Sequence, residues 1–257
     1  MLSAVQELIK SVTAHFEAYD LVRASRELIE FVNQFSTWYL RLSRDRIKDP
    51  TQIETSQVFG YALYTVAQLM APIAPFFSEL VHQTLVDESS SIHLTDWPKF
   101  SPEFYNSTLN LEMAVVKKLV EAAHGERKLA GVKLRQPLAS VTLTTTKPLK
   151  LTAELEPIIA AELNVKTIIW QIQAETEVET EVAPVFDIQL TPELRAEGEA
   201  RELMRQIQNL RKAAGLKPGE LAVVTVPAWP EVWQTEIERK TNSQLKIGSE
   251  LALVAAR

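Results

Sequence analysis

The sequence predicts an α+β fold: an antiparallel helical bundle over residues 1–106, followed by two smaller α+β units at 107–190 and 191–257. Three observations predict it. Apolar residues recur at helical spacing on each segment before about residue 88, in a chain with only 7 glycines among 257 residues. Near residue 140 the period changes to the alternation of a strand, as in VTLTT at 141–145. Finally, RKLAGVK at 127–133 returns as RKAAGLK at 211–217, 84 residues further on, with five of seven positions identical.

Element by element, Ser3 with Gln6 suggests a capping box opening the first helix. Asp20 suits the N-cap of a second helix running to about Ile47, with Leu28, Phe31, Val32, Phe35, Tyr39 and Leu42 on one face. Asp49-Pro50 stops it. A third helix is expected over about 56–70 and a fourth over about 76–86, separated by Pro72 and Pro75. Residues 89–106, rich in serine and proline, read as a loop. A helix over about 109–130 is closed by Gly131. LTAELEPIIAAELN (151–164) has helical character, with Pro157 awkwardly inside it. VKTIIWQI (165–172) is a β-branched strand. The acidic stretch 174–190 fits either an edge strand pair or a solvated arm. Pro192 opens a helix over 193–214 that Gly215 ends. LAVVTV (221–226) is a strand, residues 230–241 are helical, and the remainder can supply a last strand. Each half therefore reads as an αβαβ unit, and the two look like repeats.

The totals narrow the function. Cysteine is absent, which excludes disulfides and thiolate metal sites and suits a reducing compartment. The opening MLSAVQELIK is amphipathic with no long apolar run, so neither a signal peptide nor a membrane span is read, and a cytoplasmic location is expected. Net charge is −6, but it is unevenly spread. Residues 101–150 carry 8 basic against 4 acidic groups, residues 151–197 carry 2 against 10, and residues 198–257 carry 9 against 7. Both heptapeptides lie in the positive segments, and local patches rather than the total decide phosphate binding.

No catalytic constellation emerges. His15, His82, His93 and His124 lack metal-ligand spacing, and no glycine-rich phosphate loop is present. No catalytic residue, metal ligand or cofactor is assigned. The densest binding candidate is FSTWYLRLSRDR (35–46). At about 100° per residue from Phe35, Trp38, Tyr39 and Leu42 stay near the apolar face, Arg41 and Arg44 point away, and Arg46 returns towards it. Two readings stand: aromatics in the core with arginines on a wet face, or a guanidinium ridge that meets phosphates. The heptapeptides pose the same choice. Arg127, Lys128, Arg211 and Lys212 lie in last helical turns, where the dipole favours cations. Lys133 and Lys217, beyond the cap, are left unexplained by it.

FVNQFSTWYLRLSRDR, LMAPIAPFFSELVHQTL and SIHLTDWP resemble the anticodon-binding bundle of isoleucyl-tRNA synthetases. The resemblance continues through RKLAGVKLRQPL, IIAAELNVK and LTPELRAEGEARELMRQIQNLRKAAGL, so it covers nearly the whole chain in the family's order. Departures exist. Thr37 and Leu42 stand where the family usually has asparagine and arginine, Gln34 replaces an acid, and the segment between Trp170 and Leu190 is short. The HIGH-type and KMSKS-type signatures, the nucleotide-binding fold, the editing domain and a Cys-rich tail are not found. The resemblance implies the C-terminal, tRNA-binding part of such an enzyme, with ATP and isoleucine bound by a catalytic part elsewhere. Its expected partners are tRNA, specifically tRNA(Ile), and that catalytic part if separately expressed. The residues implied for tRNA contact are Arg41, Arg44, Arg46, Arg127, Lys128, Lys133, Arg135, Arg211, Lys212 and Lys217. Trp38, Tyr39, Gly131 and Gly215 are assigned structural roles, Trp38 as core. The other reading is a free-standing, non-catalytic tRNA-binding regulator or assembly scaffold.

Overall fold

A computed structural model describes residues 1–145, 151–172, 183–217 and 219–256, and the chain divides into two compact units, Met1–Leu111 and Glu112–Arg257. The fold class is α+β.

The first unit is a helical bundle: α1 (Leu2–Glu17), α2 (Leu21–Gln34), α3 (Leu40–Lys48), α4 (Ile53–Met70) and α5 (Pro75–Leu85). Asp20 caps α2 by accepting from Arg23 N–H at 3.0 Å. Pro75 begins α5, where a missing N–H costs nothing. The core joins Val5, Leu8, Ile9 and Val12 of α1 to Leu28, Phe35, Val66 and Leu69. Ser3 and Gln6 form no capping box, because α1 starts at Leu2 with Met1 before it. Both are buried and fasten the loop ahead of residue 107 instead. Ser3 Oγ donates to Asn106 O, while Gln6 accepts from Ser101 N–H and donates to Tyr61. That loop forms single turns at Ile92–Leu94 and Pro102–Phe104. Among the described residues, no helix is long and apolar enough to cross a membrane.

The second unit contains the same motif twice. In the first copy α6 (Ser107–Leu129) leads to β1 (Leu138–Thr145), then α7 (Glu156–Leu163), β2 (Val165–Ile172) and β3 (Ala183–Phe186). In the second, α8 (Pro192–Ala213) leads to β4 (Ala222–Val226), α9 (Gln234–Thr241), β5 (Ser243–Ile247) and β6 (Ala252–Ala256). The sheets are β2-β1-β3 and β5-β4-β6. In each, the central strand runs parallel to the strand after the short helix and antiparallel to the last one. The unit is thus αβαββ rather than αβαβ. Of the acidic stretch, residues 183–186 form the antiparallel edge, and 173–182 lie outside the described residues. Pro157 is not interior to a helix. A short turn at Ala153–Leu155 precedes α7, which leaves the proline in its first turn.

Equivalent turns use equivalent residues. Gly131 and Gly215 have φ of 69° and 72° just past α6 and α8, and Asn164 and Asn242 have φ of 51° and 46° just past α7 and α9. Only at these glycines does a left-handed residue close a long helix cheaply. A Cβ on either would meet nothing within 4 Å, so the backbone alone sets the penalty. Gly131→Ala and Gly215→Ala should each cost about 1–2 kcal/mol in urea unfolding. A neutral outcome would show that the turn relaxes out of the left-handed region.

The two copies interlock through α8. Gln136 donates to Leu194 O at 2.7 Å, and its side chain lies where a Cβ on Gly198 would collide with it. Buried Glu197 takes Lys166 Nζ at 2.7 Å and Arg201 at 2.6 Å. Arg201 also donates to Asn164 Oδ1 at 2.6 Å.

Candidate nucleic-acid interface

The bundle's cationic surface is α3, and a local irregularity sets its orientation. Between α2 and α3, Phe35–Tyr39 form one π turn, closed by Leu40 N–H on Phe35 O. The hydroxyls of Ser36 and Thr37 favour it. Ser36 Oγ donates to Val32 O at 2.9 Å and Thr37 Oγ1 to Asn33 O at 2.6 Å, competing for carbonyls of the preceding turn. A π turn holds one residue more than an α turn, so a regular helical count overruns by one after Phe35. On an unbroken helix, Arg46 would fall about 20° from Phe35; discounting one residue moves it to about 80° and brings Ser43 to about 20°. Ser43 is accordingly buried and Arg46 exposed.

This overturns the core assignment of Trp38. The ring is half-buried and is not among the residues packed on the bundle core, whereas Tyr39 is. The Arg41 guanidinium lies 5.6 Å over the Trp38 ring, and Arg41 Nε donates to Thr37 O at 2.9 Å. Arg41, Arg44 and Arg46 are all exposed, with Arg46 donating to Ser43 Oγ at 3.2 Å. Tyr39 stacks on Phe35 at 5.7 Å. Burial pushes its phenol pKa up, partly countered by the Ser43 hydrogen bond and the Arg46 charge.

The heptapeptides carry the second correction: Arg127 and Arg211 are not surface groups. They are 0% and 4% exposed. Arg127 donates to Leu163 O at 2.6 Å, to Lys133 O at 3.0 Å and to Gln136 O. Arg211 donates to Asn242 O at 2.8 Å, to Lys217 O at 3.2 Å and to Glu220 O at 2.6 Å. Where a chain leaves a helix and turns into a strand, its carbonyls keep lone pairs that backbone N–H groups do not fill, and a guanidinium fork carries five donors. Desolvation lowers the Arg127 pKa, and the ring of Phe186 covers it at 5.5 Å. The sequence contained the signal. Val116, Leu119, Ala123 and Arg127 fall on one helical stripe, as do Ala200, Leu203, Ile207 and Arg211, and all eight are buried. An arginine that continues an apolar stripe into a glycine-capped end belongs inside.

The other candidate cations of the second unit, Lys128, Lys133, Arg135, Lys212 and Lys217, are exposed. Lys133 and Arg135 line a cleft of about 760 Å³ together with Glu199, Glu202 and Gln206 of α8 and with Trp229. Two of the four histidines take part in a packing contact and a surface pair. His82 is 2% exposed, bonded to Tyr64 at 3.0 Å and to Ser90 at 2.8 Å. His15 meets Glu27 at 3.1 Å.

Comparison with known proteins bears on this surface. Residues 1–143 match the family described as the anticodon-binding domain of tRNA ligase. The chain is similar to the isoleucine–tRNA ligase of Dehalococcoides mccartyi (strain CBDB1), 34% identical over 233 residues, covering 83% of this chain and 23% of that protein. The isoleucine–tRNA ligase of Deinococcus radiodurans is 33% identical over 218 residues, 83% of this chain and 19% of that protein. That of Methanopyrus kandleri is 33% identical over 204 residues, 76% and 19% respectively. The chain thus spans about a fifth to a quarter of the length of these relatives.

Proposed function

Because the chain belongs to the anticodon-binding domain family of tRNA ligases, we propose that it binds tRNA, and tRNA(Ile) in particular, as the non-catalytic part of an isoleucine–tRNA ligase. The observation that carries this reading is α3. It exposes Arg41, Arg44 and Arg46 on one short helix, beside an indole that the π turn holds out of the core. Guanidinium groups on such a ridge neutralise phosphates, and unpaired loop bases stack on aromatic and guanidinium planes. The exposed cations of the second unit add phosphate contacts, whereas Arg127 and Arg211 add none. Activation of isoleucine with ATP, and its transfer, belong to other parts of such a ligase.

Titration with tRNA(Ile) and a non-cognate tRNA at stated salt tests the reading. If about four phosphates are neutralised, log K falls against log salt with a slope of roughly −3 to −4. Arg44→Ala should reduce that slope by about one and leave the thermal midpoint in place, since an exposed charge contributes little to stability. Binding that ignores salt, or tRNAs bound equally at every salt, would remove the support for this reading.

A further inference from the structure

We propose that the cleft between the two copies of the αβαββ motif holds a single unpaired nucleotide of a bound RNA, its phosphate on Lys133 and Arg135 and its base against Trp229. The inference rests on the RNA-binding reading above but concerns a different surface, one that no helix of the bundle lines. The cleft, about 760 Å³, lies within the range of small-ligand sites, about 300–1,000 Å³. Its walls divide by chemistry. The turn after α6 supplies Lys133 and Arg135, both exposed. Arg127 grips that turn by the carbonyls of Lys133 and Gln136, so the two cations stand on a rigid base.

Across the cleft, Glu202 is already committed. Its carboxylate takes Arg205 Nε at 3.0 Å, and that bond, with the charges of Arg135 and Lys133, holds its pKa below the ordinary range. Exposed Glu199 is the second carboxylate of the lining, so with Arg205 on Glu202 three cations, Lys133, Arg135 and Arg205, stand against two acids. On the floor, Trp229 Nε1 donates to Gln234 Oε1 at 3.3 Å. The polar tip of the indole is spent on that bond, one side of the ring packs against the core of α8 and β4, and its remaining surface lines the cleft. Exposed Gln206 offers an amide at the rim, able to donate to and accept from a base edge. A flat aromatic beside two cations is the recognition chemistry of a splayed nucleotide. An extended peptide finds no counterpart, because the only strand contributing to the lining, β4, is paired on both sides.

The test uses the full chain labelled with 5-fluorotryptophan, with the Trp229 resonance in the ¹⁹F spectrum assigned through Trp229→Phe. Hexauridylate, a six-base-pair RNA duplex, hexaglutamate and tRNA(Ile) are titrated in parallel. The expected result is a saturable shift of that resonance with hexauridylate and with tRNA, and none with the duplex or the acidic peptide. Lys133→Ser with Arg135→Ser should weaken hexauridylate binding about tenfold, as loss of a phosphate contact does, at an unchanged thermal midpoint. A Trp229 resonance unmoved while tRNA binds overturns this proposal and leaves the bundle's role standing. Absence of all tRNA binding overturns both. A shift with hexaglutamate as large as with RNA, or a double variant that binds like the parent, assigns the cleft to something else.

Discussion

Arg127→Met should destabilise the second unit by about 3–5 kcal/mol. Arg211→Met should cost less, because the three acceptors of Arg211 each keep another donor: Asn242 O from Ala222 N–H, Lys217 O from Glu220 N–H and Glu220 O from Asn242 Nδ2. Methionine approximates the volume of the aliphatic stem but donates nothing. For Arg127 the carbonyls of Leu163 and Gln136 would lose their donor, at about 1–3 kcal/mol each before relaxation, while Lys133 O keeps Gln136 N–H at 3.0 Å. Lysine should rescue little, because a point ammonium cannot span acceptors spread around a planar fork. Denaturant unfolding gives the magnitude, and amide exchange in residues 131–136 should accelerate. A variant with parental stability but lost tRNA binding would restore Arg127 to the RNA surface and undo the structural assignment.

Phe35→Ala and Trp38→Ala should separate sharply, although they sit three residues apart. Phe35 is 7% exposed, with Phe31, Tyr39 and Phe59 rings at 6.1, 5.7 and 5.1 Å. Removing it from the centre of that stack should cost about 3–5 kcal/mol. Trp38 is half-buried outside the core, so its loss should cost about 1 kcal/mol in stability. It should weaken tRNA binding by more than that, since stacking on a base is worth about 1–3 kcal/mol. Thermal midpoints and tRNA affinities of the pair decide the matter. Equal destabilisation would return Trp38 to the core.

Much of the fold is legible because its signals are local. Asp20, Pro192, Gly131 and Gly215 each mark a helix end by a backbone requirement that few residues meet. The β-branched run 165–172 matches β2. What stays open is non-local. An edge strand pair is one of two readings for residues 174–190, and a single last strand is expected after residue 241. Strands β3, β5 and β6, with four or five residues each, acquire their identity from pairing with a central strand rather than from their own pattern. Trp38 and Arg46 were misplaced because counting at a fixed angle assumes an unbroken helix, and the widened turn depends on side-chain hydroxyls the count ignores. The burial of Arg127 and Arg211 was missed because arginine at a helix C-terminus has an ordinary electrostatic explanation that ends the search early. Their place on the apolar stripe was the stronger evidence.

The extra residue between α2 and α3 also has a consequence for length variation. A deletion inside a regular helix rotates everything beyond it by about 100° and turns the buried stripe out of register with the core. Here the helix has absorbed such an insertion already. Removing Thr37 should let residues 35–40 close as an ordinary α turn. Ser43 and Ile47 would keep their inward places and Arg44 and Arg46 their outward ones. Only the bulged-out indole would lose its seat. A shortened chain that melts near the parent's midpoint, yet binds tRNA less well, would identify this turn as a place where the family can gain or lose a residue and change recognition without rebuilding the bundle.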